Sequence, residues 1–232
     1  MITIRRACER GAANHGWLDT RHTFSFAEYF DPNHMGFRSL RVVNEDVIQP
    51  GTGFDWHGHR DMEVISFLIR GALQHRDSTG VESVLRAGQV QCMTAGSGIR
   101  HSEHNPSSTE PTHFLQIWIL PERQGLPPGY QQKGFPAEER RGRFCLIASP
   151  DGADQSLPIH QDVRLFGLIL EPGTLLSHVL DPGRHAWVQV VSGEVEINGQ
   201  RLFGGDGLAL SQEREVRVVG CDHGEILLFD LA

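Results

Sequence analysis

Short apolar runs broken by turn residues dominate the pattern of hydrophobic and polar positions along the chain. Residues 40–48 (LRVVNEDVI) form the first clear run. Residues 63–69 (EVISFLI) are almost continuously apolar and stop at Gly71. Residues 81–85, 90–93 and 114–120 (FLQIWIL) follow, the last closed by Pro121. Each is short, partly β-branched or aromatic, and bounded by Gly, Pro, Ser or Asp, which is the signature of strands. No long stretch repeats every 3.6 residues, so a helical bundle or a βαβ alternation is disfavoured.

Residues 121–143 break the pattern. The stretch PERQGLPPGYQQKGFPAEERRGR is rich in Pro, Gly and charge, and reads as a connector. Strand-like segments resume at 144–148, 163–170, 186–191, 194–197 and 226–231. The segments EVISFLIRGALQHRDSTGVESVLRAGQVQCMTAG and AWVQVVSGEVEINGQRLFGGDGLALSQE share one order: apolar strand, Gly turn, strand, Gly turn, apolar strand. A repeat of this kind predicts an all-β protein of two tandem barrels of the same fold. The expected boundaries are 1–120 for the first barrel, 121–143 for the connector and 144–232 for the second.

Composition agrees with many tight turns: 26 Gly and 12 Pro stand among 232 residues, without a collagen period. The formal net charge of −8 comes with no basic stripe, so direct binding of a nucleic-acid duplex is not expected. The densest basic cluster, Arg140, Arg141 and Arg143, follows Glu138 and Glu139 and reads as a solvated surface segment. No apolar run reaches the roughly 18 residues that span a bilayer, and the first residues lack the apolar core of a secretory signal. Cys8, Cys92, Cys145 and Cys221 are scattered without a C-x-x-C pair, which suggests thiols in a reducing compartment and a cytoplasmic protein. Cys92, among Val90, Met93 and Ala95, reads as a small buried apolar residue.

The chemistry lies in two i, i+2 pairs, His57-Gly58-His59 and His101-Ser102-Glu103. On a strand such residues share a face, about 6.5 to 7 Å apart along the chain. Two pairs on facing strands offer three imidazoles and a carboxylate to one point. That donor set suits Fe, Mn, Ni, Cu, Co or Zn and leaves open positions on a six-coordinate ion. No thiolate is offered, so a Cys-rich structural zinc is not expected. The Gly-rich turn Gly96-Ser97-Gly98 carries the second pair toward the barrel interior. Glu63 is the competing carboxylate: it shares parity with His57 and His59 but lies about 13 Å further along a regular strand. It suits an acceptor for a histidine N–H better than a ligand. His104 should face the opposite side from Glu103. His15, His22, His34, His75 and His113 read as surface or ordinary packing. His160, His178, His185 and His223 form no such pair, so the second barrel is expected to hold no metal.

These residues resemble a known family. Gly51, His57-Gly-His59, Glu63 and Gly71 look like a first cupin motif, and Gly88, His101 and Asn105 like a second. More narrowly, HTFSFAEYF (residues 22–30), MGFRSLRVVNEDVI (35–48), HGHRDMEVISF and MTAGSGIRHSEHNPS (93–107) resemble the pirin family. The likeness is specific in those runs and diffuse beyond about residue 150. It implies a bicupin, two tandem jelly-roll barrels, with one divalent metal in the N-terminal barrel, Fe2+ first among the candidates. The family's ligands carry onto His57, His59, His101 and Glu103. Bacterial pirins resemble quercetin 2,3-dioxygenases, which implies a flavonol-like phenol and O2 as substrates and Glu103 as the base for the 3-hydroxyl proton. Phe54, Trp56 and Ile99 are then expected near the pocket. The alternative implied by the same family is an iron- and redox-dependent regulator that binds a transcription factor or a metabolic enzyme.

Overall fold

The computed structural model describes all 232 residues, Met1–Ala232. Twenty-two strands follow one another: β1 (Ile2–Arg5), β2 (Gly11–Asn14), β3 (Leu18–His22), β4 (Leu40–Ile48), β5 (Gly53–His59), β6 (Glu63–Arg70), β7 (Ala72–Asp77), β8 (Glu82–Arg86), β9 (Gln89–Thr94), β10 (Ile99–His104) and β11 (Thr112–Ile119). There follow β12 (Gly129–Gly134), β13 (Cys145–Ser149), β14 (Leu157–Pro158), β15 (Val163–Leu170), β16 (Leu175–Val179), β17 (His185–Ser192), β18 (Glu194–Ile197), β19 (Gln200–Phe203), β20 (Gly207–Ser211), β21 (Glu215–Gly220) and β22 (Gly224–Leu231). One four-residue α-helix, α1 (Ala137–Arg140), is too short to cross a membrane, and no helix is long and apolar enough to do so.

The chain divides into two compact units. The first holds Gly11–Gly134 and Ile159–Gln161; the second holds Met1–Arg10, Phe135–Pro158 and Asp162–Ala232. In the first unit a seven-stranded sheet, β12-β9-β6-β11-β4-β3-β2, pairs with a four-stranded sheet, β5-β10-β7-β8. In the second, β1-β20-β17-β22-β15-β13-β14 accompanies β16-β21-β18-β19. The cupin-type, two-domain, all-β architecture is therefore present.

Strands at the ends of the expected segments settle where edges need partners. β1, which opens the stretch assigned by sequence to the first barrel, pairs antiparallel with β20 of the second unit, Ile2 opposite Leu210. β12, inside the expected connector, pairs with β9 of the first unit, Tyr130 opposite Met93. Each covers a sheet edge that would otherwise present unpaired N–H and C=O groups.

The apolar runs bury as their composition demands. Val64, Ile65, Phe67 and Leu68 of β6 are buried in the first unit, and fifteen buried residues, including Val188, Leu208 and Leu228, form one cluster in the second. Each such side chain contributes about 1.5–3 kcal/mol when taken fully out of water. Cys92 is buried as expected, and its thiol is pushed up by that burial and by Glu63. Arg140 does not lie on a solvated face. It is only 5% exposed. Its Nε donates to the Phe135 carbonyl at 2.9 Å and its head pairs with Glu225. The cluster read as surface thus gives up one member to the interior, where a backbone acceptor and a carboxylate satisfy the guanidinium.

Candidate metal centre

β5 and β10 run side by side with His57 opposite His101 and His59 opposite Ile99. Their approach is close: a Cβ on Gly53 would meet the Glu103 carbonyl oxygen at 2.3 Å, so only glycine fits there. The register slips between His101 and Glu103, which pairs with Phe54. The extra residue sits on β5, and there the Nδ1 of His57 lies 2.8 Å from the Asp55 carbonyl oxygen. A carbonyl can only accept, so His57 donates from Nδ1, which leaves Nε2 as the nitrogen available to a metal. Just ahead of β10, Gly96 takes φ +46°, and a Cβ there would meet the Leu126 carbonyl at 1.9 Å.

Three imidazoles converge. The ring centroids of His57 and His101 are 4.4 Å apart, those of His59 and His101 4.8 Å, and those of His57 and His59 4.9 Å. One nitrogen from each lies within 4.8 Å of the others. The Nε2 of His101 is buried without a hydrogen-bond partner. An orphaned imidazole nitrogen is costly in a core and is what a donor atom awaiting a metal looks like. Burial, with the neighbouring imidazoles adding, pushes His59 down to about 4 and His101 down to about 3. Both are therefore neutral near pH 7, the state in which imidazole ligates. The donor set fits a divalent transition metal.

Glu103 shares the face and the burial of His101, but its oxygens group with His101 and His75 rather than with all three imidazoles. Its Oε2 accepts from Gln116 Nε2 at 2.8 Å, and its Oε1 accepts from Gln91 Nε2 at 2.5 Å and Ser66 Oγ at 3.3 Å. Tyr130 donates to Gln91 Oε1 at 3.1 Å and so turns the Gln91 amide nitrogen toward the carboxylate. Gln91, Gln116 and Ser66 lie inside strands that read as apolar runs. They were passed over in the sequence; a polar residue within an otherwise apolar run is the signal that could have found them.

His75, read from the sequence as surface or ordinary packing, lies inside beside the imidazole trio. It is fully buried, its ring centroid 5.2 Å from that of His101 and stacked on Tyr130 at 4.5 Å. His75-Arg76-Asp77 is a third i, i+2 pair of ligand-type residues, and this was the signal in the sequence. Asp77 is held below the ordinary carboxylate range: burial opposes this, but hydrogen bonds from Thr79, His75 and Val81 outweigh it. Glu63 accepts from Thr94 Oγ1 (2.9 Å) through Oε2, while its Oε1 lies 3.4 Å from His160 Nδ1 without a hydrogen bond, so it does not serve as acceptor for any residue of the imidazole trio. His104 points away as expected, its Nε2 3.5 Å from Asp55.

A cavity of about 710 Å³ opens onto His57, His59 and Glu103. That is the size of a small-molecule site. Aromatic plates build its walls: Phe26 meets Trp118 edge-on at 5.3 Å, Trp17 meets Phe54 at 5.1 Å, and His22 stacks on Phe26 at 5.3 Å. Of the two readings offered for His22, surface or ordinary packing, it is the packed one: a wall residue, its Nδ1 3.0 Å from Asn44 Oδ1. Asp46 also lines the cavity; burial pushes it up to about 7, with Glu103 and Glu45 adding. Phe54 lines the pocket as expected. Trp56 is half exposed and lies outside it, and Ile99 packs in the core with Val64 and Met93.

The pirin family model matches residues 2–119. The chain belongs to the pirin family. The quercetinase C-terminal cupin domain matches residues 146–231. A quercetin 2,3-dioxygenase of Escherichia coli K12 is 48% identical over 231 residues, covering 100% of this chain and 99% of that protein. A pirin-like protein of Caulobacter vibrioides is 42% identical over 234 residues, with both chains covered completely. Among solved structures, the bacterial pirin YhhW of E. coli in complex with nickel(II) superposes with a TM-score of 0.96 at 48% identity, covering 100% of this chain and 99% of that one.

Proposed function

We propose that this pirin binds one divalent transition metal through His57, His59, His101 and Glu103 and cleaves flavonols such as quercetin with O2. The observation that carries the reading is the buried, partnerless Nε2 of His101 beside two further imidazoles at the end of an aromatic-walled cavity. The names of the relatives and the nickel complex of YhhW support it. Fe2+ remains the first candidate for the physiological ion, with Ni, Mn, Cu, Co and Zn suited to the same donors.

When bound, the metal supplies Lewis acidity and an orienting point for the substrate oxygens. The protein does the rest. Phe26, Trp118 and Phe54 take up a flat aromatic system and exclude water. Asp46, protonated for part of the time near neutral pH, offers a hydrogen bond to a phenol oxygen in the same cavity. Glu103 accepts the proton of the 3-hydroxyl group on its carboxylate, whose charge Gln91, Gln116 and Ser66 steady from behind.

The test is incubation of metal-loaded protein with quercetin, with and without O2, followed at the flavonol absorbance. Oxygen-dependent loss with release of carbon monoxide is the expected result. Stable binding without loss would leave a binding protein, and absence of both would overturn the enzymatic reading in favour of the regulatory one.

A further inference from the structure

The tautomer of His57 is fixed by its own backbone, through Nδ1–H to the Asp55 carbonyl. His101 has no carbonyl within reach of Nδ1. Its Nδ1 instead lies 3.4 Å from the Nδ1 of His75. The Nε2 of His75 lies 3.0 Å from Asp77 Oδ2. All three side chains are fully or almost fully buried.

The direction of this chain follows from its far end. Asp77 Oδ1 accepts from the Thr79 backbone N–H (2.8 Å), the Thr79 hydroxyl (2.6 Å) and the Val81 backbone N–H (3.3 Å). Asp77 is therefore an acceptor throughout, and His75 Nε2 must donate to Oδ2. A neutral His75 protonated on Nε2 has an acceptor at Nδ1. His101 Nδ1 must then be the donor, which leaves its Nε2 as a lone pair. That is the same nitrogen that is buried without a partner among the other imidazoles.

We infer that Asp77 and His75 are positioning residues that hold His101 in its Nδ1-protonated tautomer and so aim its Nε2 at the metal. The inference rests on His101 being a ligand, as proposed above. It excludes His75 as a ligand in its own right, although His75, His101 and Glu103 also group closely enough to hold an ion.

Asp77→Asn is the decisive variant because it keeps the shape and reverses the sense. The two backbone N–H groups of Thr79 and Val81 can only donate, so the amide oxygen of the substituted side chain must face them. Its NH2 then faces His75 Nε2. His75 has to accept there and donate from Nδ1, and the hydrogen of His101 is displaced onto Nε2, which closes the nitrogen to metal. His75→Phe is the second variant. It keeps a ring against Tyr130 but removes the acceptor for His101 Nδ1.

Two readouts are needed on full-length protein. Nitrogen-15 NMR of the metal-free protein reports the histidine tautomers, and competition against a chromophoric chelator gives the Ni(II) affinity. Expected are a Nδ1-protonated His101 in the unaltered chain, a Nε2-protonated His101 in Asp77→Asn, and Ni(II) affinity about 10- to 100-fold weaker in both variants. An unchanged His101 tautomer in Asp77→Asn, unchanged Ni(II) affinity, or Ni(II) bound to His75 would overturn the inference. Failure of the metal reading itself looks different. The unaltered chain would then take up no Ni(II), or would keep it after His57→Ala, while the tautomers still report on the relay.

Discussion

The two units repeat one strand order, and register makes their interiors comparable residue by residue. In the first, His57 stands opposite His101, His101 opposite Asp77 and Glu103 opposite His75. In the second, Leu176 stands opposite Val218, Val218 opposite Ile197 and Gly220 opposite Val195. The layer behind Glu103 shows the same contrast. Ser66 sits between Gln116 and Gln91 in one unit, and Val188 between Leu228 and Leu208 in the other. His59 alone has a histidine counterpart, His178. But where His59 packs against Trp118, His178 pairs with Asp230, the counterpart of Trp118, at 2.9 Å. One scaffold thus carries a hydrogen-bonded polar interior open to a cavity, and elsewhere an aliphatic one. Buried Ser66, Gln91, Gln116, His75 and Asp77 are tolerated in the first because each has a hydrogen-bond partner. His101 Nε2 has none, and a metal would resolve that.

Exchanging counterparts tests this contrast. His101→Val places the second unit's residue in the first and should abolish metal loading, read by elemental analysis; normal metal content would break the equivalence. Glu103→Gln should retain part of the metal and lose flavonol turnover, because the amide cannot take the proton. It also places an amide against the Gln91 and Gln116 donors, so unimpaired turnover would remove the carboxylate's role. Val218→His makes the reverse exchange. It buries an imidazole among Leu176, Val195 and Ile197 with no partner and should cost about 2–5 kcal/mol in denaturant unfolding without creating a metal site. Gln116→Leu should cost about 1–3 kcal/mol in metal-free protein, since buried Glu103 loses a donor.

The smallest effect concerns pH. The Asp230 carboxyl lies below its ordinary value of 3.8, because hydrogen bonds from His178 and Arg184 outweigh burial. A carboxyl lowered in the folded state contributes stability above the unfolded value, and that contribution is lost as pH falls through the folded value. Protection of the β22 amides against exchange, taken relative to their intrinsic rates, should therefore be steady from pH 7 to pH 5 and fall below about pH 4. Asp230→Asn should flatten that acid dependence.

Much of this was legible in the chain because strand periodicity is local. The run at 163–170 became β15 with the same bounds, and the H-x-H and H-x-E pairs fall on β5 and β10 as parity requires. Other features depend on distant partners. Nothing in ITIR says that β1 completes the sheet edge at β20, since four residues suit any edge. Nothing periodic in residues 23–39 announces that Phe26 and Tyr29 wall the cavity. The partners of His75 were missed because it was weighed as a lone histidine, while its meaning lies in Asp77 beside it and His101 across the sheet.

The central claim is that four side chains of the first unit share one ion. X-ray absorption at the nickel edge, on protein loaded with Ni(II), reads this most directly. One nickel per chain with scattering from three imidazoles and a carboxylate oxygen, and one imidazole fewer in any nickel retained by His59→Ala, is the predicted result. A spectrum without imidazole scattering, or one unchanged by His59→Ala, would contradict the account.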